Sequence, residues 1–217
     1  MKNPIENYRR IRLNHLKEKL EENNFEVHVA DSLESVPRIV QEEILAKLEV
    51  KTLSWGGSTS FVQSGLYEQL KDDSRYEVLD TYDKSLSPEE VLERRRQSLL
   101  VDLFITGANA VTEDGMLVNL DMIGNRVGAI AFGPKQVILI IGRNKIVPDL
   151  EAAFLRVKDY AAPVNTMRLD KKTPCVKTGR CEDCKSPDRI CNHWTITEKS
   201  FPKGRIKIVL VDEDLGF

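Results

Sequence analysis

Aromatic side chains are scarce in this chain, at 6% of 217 residues, and histidine occurs three times. His15, His28 and His193 lie too far apart to form a ligand pair on one helix, so a catalytic or metal-binding histidine pair is not indicated. A dominant charge is also missing. The net charge is −2, which offers no basic field for nucleic acid. No apolar run approaches the roughly 20 residues of a membrane span, and the opening MKNPIENYRRIR has no signal-peptide core. Neither the lysine of a phosphate-binding P-loop nor the spaced glycines of a dinucleotide fingerprint is present, so a redox role would need another centre or an outside partner. These absences predict a cytoplasmic protein with no nucleic-acid partner and no membrane span. Cysteine is absent from the first 174 residues, and all four cysteines fall between Cys175 and Cys191.

What is present alternates. Apolar positions at helical spacing (Ile5, Tyr8, Ile11, Leu16, Leu20) predict a helix over 5–23, stopped at Asn23-Asn24. A strand over 25–29, a helix from Asp31 or Ser32 to about Leu48 and a strand over 51–55 follow. Beyond them come a helix over 59–70, a strand over 76–82 and a helix opened by Ser87-Pro88-Glu89-Glu90. The arginine run 94–96 on that helix reads as a solvated face. Two short apolar runs, 103–106 and 137–141, each end at a glycine and read as strands buried on both faces. Between them, 111–120 reads as a hairpin turning on Asp114-Gly115, and 125–132 as a short helix. A helix from Pro148-Asp149 and a last strand over 205–211 complete the pattern. The fold class is therefore α/β, a mostly parallel sheet flanked by helices, in a single domain over 1–217. Residues 163–204 lose periodicity and read as a Cys-rich insert or appendage rather than sheet core.

Two stretches carry candidate binding chemistry. Gly56, Gly57, Ser58 and Thr59 follow a strand and open a helix, an arrangement that can receive an anion on free backbone N–H groups. The same residues equally suit a tight turn with a serine cap. The polar segment with Asn109, Asn119, Asp121, Asn125 and Arg126 either binds a small carboxylate or phosphate or forms an internal hydrogen-bond network. Lys145, after the strand over 137–141, either reaches the same crevice or lies on the surface. Open α/β sheets bind ligands beyond the carboxyl ends of their strands, so this end is the expected site.

The cysteines are spaced Cys175-x5-Cys181-x2-Cys184-x6-Cys191. The close pair has the spacing of a metal knuckle, and the outer two can complete a four-thiolate set. The irregular spacing leans toward a [4Fe–4S] cluster, with zinc as the alternative.

The segments GGSTS, TGANAVTEDGMLVNLDMIGNRV and FGPKQVILIIGRNKIV resemble the lactate-utilisation (LUD) domain family over nearly the whole chain. The Cys-rich tail with its closing VDEDLGF is similar to a subset of short bacterial members. The resemblance implies the fold of the superfamily of sugar-phosphate isomerases and CoA-transferases. It also implies oxidation of a lactate-like organic acid beside iron–sulfur and other redox subunits. Thr112 to Leu117 resembles the segment carrying the nucleophilic glutamate of CoA-transferases, which makes Glu113 the catalytic candidate. Three functions follow as expectations. The first is redox metabolism of a small anionic metabolite with redox partner subunits. The second is a transferase or isomerase using Glu113 on a phosphorylated or CoA-linked ligand. The third is a non-catalytic binding subunit with structural zinc. Homo-oligomerisation is compatible with all three.

Overall fold

The computed structural model describes residues 3–217. Ten strands run in chain order: β1 (Glu26–Ala30), β2 (Thr52–Trp55), β3 (Glu77–Leu79), β4 (Leu103–Thr106), β5 (Ala110–Thr112), β6 (Leu117–Asp121), β7 (Gln136–Gly142), β8 (Ile146–Val147), β9 (His193–Thr197) and β10 (Ile206–Val211). Six of them form one sheet in the order β1-β10-β7-β4-β2-β3, and every neighbouring pair is parallel. This is the α/β architecture that the alternating pattern predicts.

The period-2 alternation of the inner strands fills both faces. From β7, Ile138 and Ile140 point to one core with Val209 and Val211 of β10, beneath the helical segments 36–47 and 59–70. Val137, Leu139 and Ile141 point the other way, against Leu13, Leu16 and Leu20 of the helix Pro4–Glu22. A strand buried on both faces must be apolar at every position, and β7 and β10 are almost continuously so. The helix Pro4–Glu22 is amphipathic over its second half only, since Ile5, Tyr8 and Ile11 stay exposed.

Three features depart from the sequence reading. The hairpin β5–β6 leaves the main sheet and joins a second, mixed sheet in the order β8-β5-β6-β9. Its turn has three residues, Glu113, Asp114 and Gly115, rather than two. Thr112 N–H donates to Met116 O at 3.0 Å, and Gly115 takes the left-handed conformation (φ 88°) that closes such a loop. Finally, the 163–204 segment is not only an appendage. It supplies β9, which pairs antiparallel with all five residues of β6, so part of it belongs to the second sheet. The sequence His193-Trp194-Thr195-Ile196-Thr197 hid that strand because it is short and none of its residues is fully buried.

Candidate functional site

Strand order reverses at β2. The chain leaves β2 for β3 on one side and returns to β4 on the other, so the loops after β2 and β4 diverge over a crevice. A cavity of about 430 Å³ lies there. Its walls come from the carboxyl ends of the strands: Gly57, Ser58 and Thr59 after β2, Thr81 and Tyr82 after β3, Gly107, Ala108 and Asn109 after β4, and Lys145 after β7. Asp121, Asn125 and Arg126 close one side, and Gly216 and Phe217 follow from beyond β10.

The loops after β2 and β4 touch closely. A Cβ on Gly107 would stand 2.8 Å from Ser58 Oγ and 3.1 Å from Ile140 O, so only glycine fits there. Ser58 caps the helix Thr59–Gln63 with its hydroxyl, accepting from Phe61 N–H at 3.2 Å. Its backbone N–H donates to Tyr82 Oη, whose own hydroxyl donates to Gly56 O. Tyr82 thus takes the Ser58 amide, one of those an anion was expected to use. Burial pushes the Tyr82 hydroxyl up to about 12.

Arg126 is buried and directs all five N–H donors to protein atoms. Nε reaches Asp121 Oδ2 at 3.1 Å. Nη1 reaches Gly107 O and Asn119 Oδ1, and Nη2 reaches Asn109 Oδ1 and Leu120 O. The network reading of this segment therefore describes its bonding. Arg126 gives the cavity charge and rigidity, but no free donor.

Lys145 is not on the surface. It is 4% exposed, and Nζ donates to Ser60 Oγ at 2.8 Å and Ala108 O at 3.0 Å. Burial, with Arg156 and Arg126 nearby, pushes its amine down to about 7.

Of the ten ligand-binding candidates, eight line the cavity: Gly57, Ser58, Thr59, Asn109, Asp121, Asn125, Arg126 and Lys145. Gly56 and Asn119 stand behind it. Gly56 packs where a Cβ would come within 2.9 Å of the Phe104 ring, and the Asn119 carbonyl serves Arg126. Glu113 is elsewhere. It sits in the hairpin turn, bonded by Arg12 Nη2 at 2.5 Å and Nε at 2.9 Å, and does not line the cavity. Asn23 Nδ2 donates to Asp114 O beside it, so these residues dock the hairpin on the first helix.

The sequence reading passed over Arg95, Asn165, Arg168 and Lys171, which also line the cavity. Arg95 belongs to the arginine run taken as solvated. Only its helical phase relative to Arg94, which bonds Asp80 O, turns it toward the crevice. Five basic side chains thus face one acidic one, Asp121, and Asp121 is already held by Arg126 and by Gly124 N–H. Among the described residues, Arg95, Lys145, Arg168 and Lys171 make no ion pair to an acidic side chain. The lining of the cavity is therefore predominantly basic.

All four cysteines line a second, small cavity of about 20 Å³, together with Thr166, Thr173 and Ile190. They are reduced. Thr173 and Thr166 hydroxyls lie 3.1 and 3.3 Å from Cys175 Sγ, and Asp183 N–H donates to Cys181 Sγ at 3.4 Å. An N–H two residues on pointing at the first sulfur of a Cys-x-x-Cys pair suits a thiolate. Burial pushes the Cys191 thiol up. Among the described residues, no three His, Cys, Asp or Glu side chains are arranged as a metal-binding set. The donor chemistry fits a soft metal, and the exposed loop through Cys181 and Cys184 would have to draw in to complete it. The two cavities share a wall, since Ile190 lines both.

An α/β protein with a basic cavity at the switch point of a parallel sheet is the class this geometry defines. The profile of the LUD domain matches residues 13–211, and the chain belongs to that family. Among solved structures it is similar to a DUF162 family protein from Deinococcus radiodurans. That similarity covers 94% of this chain and 98% of the other at 14% identity, with a TM-score of 0.48. No curated protein matches the chain. Among the described residues, no helix is long and apolar enough to cross a membrane.

Proposed function

We propose that this protein binds a small monocarboxylate in lactate-related metabolism, and that its four cysteines hold a thiolate-bound metal centre beside the binding cavity. Membership of the LUD family supports the metabolic setting. The observation that carries the ligand class is the charge of the cavity, five basic side chains against one already paired acid. A guanidinium free of internal carboxylate partners, such as that of Arg168, suits a planar carboxylate.

Cys175, Cys181, Cys184 and Cys191 would supply the ligands of the metal. A [4Fe–4S] cluster would add electron transfer and call for a redox partner subunit. Zinc would make the site a structural staple. The 20 Å³ cavity has room for about one water-sized sphere, which favours a single ion unless the loop opens. Glu113 takes no part in this reading, because its carboxylate is engaged by Arg12 away from the cavity.

Two measurements test it. The first is iron, sulfide and zinc analysis with a visible spectrum on protein purified without oxygen. Iron with sulfide supports the redox form, zinc supports the staple, and neither metal refutes the centre. The second is calorimetric titration with lactate, pyruvate and inorganic phosphate, on wild type and on Arg168→Ala. Binding of a monocarboxylate, weakened by the substitution, supports the ligand class, and no binding of any anion refutes it.

A further inference from the structure

The basic groups of the cavity are not equivalent. Arg95, Arg126 and Arg168 keep their charge at any physiological pH. Lys145 is different in three respects. It follows β7 and is almost fully buried. Both of its hydrogen-bond partners, Ser60 Oγ and Ala108 O, are neutral. No carboxylate pairs with it among the described residues, so no ion pair offsets the charge of its extra proton. A surface anion-binding lysine would not be placed this way, because burying an unpaired ammonium is costly.

We propose that Lys145 is a catalytic residue that captures the carbonyl carbon of a small 2-oxo acid as an imine, an inference that rests on reading the cavity as a monocarboxylate site. A buried amine among fixed cations divides the work. The guanidinium of Arg168 holds the carboxylate, while Lys145, the buried one of the two lysines lining the cavity, meets the carbonyl. The downward shift of the amine, to about 7, is in keeping with that task.

The step balances without an added oxidant or reductant. The neutral Nζ lone pair forms the C–N bond to C2, and the carbonyl π pair moves to oxygen, which takes the proton that the attacking nitrogen gives up. Loss of water from that carbinolamine leaves the imine, with one water released. Ser60 Oγ, 2.8 Å from Nζ, fixes the amine and can pass the proton. A 2-hydroxy acid has no ketone carbon at C2 to attack. The site would therefore hold the oxidised form of such an acid covalently and the reduced form only by its charge.

The test is borohydride trapping on the full chain. Protein is incubated with pyruvate, or with lactate as control, reduced with sodium borohydride, and examined by intact mass and peptide mapping. The expected result is one reduced adduct with pyruvate, mapped to Lys145, suppressed by excess phosphate and absent with lactate. Trapping should rise with pH through about 7. Lys145→Arg, checked for folding by circular dichroism, should bind pyruvate yet form no adduct. An adduct on another lysine overturns the inference. So does no adduct in wild type under conditions where calorimetry registers pyruvate binding. If neither pyruvate nor phosphate binds at all, the monocarboxylate reading itself fails and this inference with it. Mapping on wild type keeps the test decisive should the variant not fold.

Discussion

Lys145 Nζ lies 2.8 Å from Ser60 Oγ and joins the turn after β7 to the helix after β2, with no acid to share its charge. The contact holds two strand ends around the cavity and leaves a proton that the folded state binds weakly. The folded pKa, about 7, lies below the value of 10.5 for an unperturbed lysine. Between those values the unfolded chain binds more protons than the folded one, so stability should rise as pH rises from about 7 toward 10. Below about 7 both states are protonated, and the burial penalty is fully present. Lys145→Met should flatten this rise, an effect on the order of a few kcal/mol, read by denaturant titration at several pH values.

Arg126 and Asp121 form a buried ion pair at 3.1 Å within a network that satisfies every Arg126 donor and leaves the buried Asn119 Nδ2 without a partner. Arg126→Met leaves Asp121 without its partner and frees the carbonyls of Gly107 and Leu120. The expected loss is about 3–5 kcal/mol, seen as a lower unfolding midpoint. Arg126→Lys should recover only part of it, because an ammonium cannot fork to five acceptors.

Glu113→Gln provides the opposite case. Arg12 and Glu113 are partly exposed, and such pairs contribute at most about 1 kcal/mol. The substitution should lower stability by no more than that and leave calorimetric pyruvate affinity unchanged. A loss of binding would return Glu113 to the site.

The helix Ala162–Arg168 serves both cavities. It carries Asn165 and Arg168 to the basic cavity and Thr166 to Cys175, while Ile190 lines both walls. Occupancy of the cysteine site should therefore set the position of Arg168. Removing the metal proposed for that site with a chelator, or replacing Cys181 by Ser, should weaken pyruvate binding about fivefold or more. Equal affinity with and without metal would show the two sites to be independent.

The sequence by itself determined the layers and most of the site's address. β7 and β10 could be read because strands covered on both faces are apolar at every residue, and glycines mark where they stop. Gly57, Ser58, Asn109 and Lys145 could be nominated because a parallel sheet presents its strand ends on one side. Four thiols within 17 residues likewise declared themselves. The tertiary structure decided what each group does there. Whether Lys145 lies in water or under β7 depends on packing by Ser60 and Ala108, which are 85 and 37 residues away in sequence. Arg95 differs from Arg94 only by helical phase, and Arg168 reaches the cavity only because the helical chain after β8 carries it there. Glu113 has the right neighbours in sequence, but the docking of its hairpin on Arg12 and Asn23 holds it away from the cavity. Burial and charge pairing are sums over residues distant in sequence, so local pattern can nominate a group but cannot set its environment.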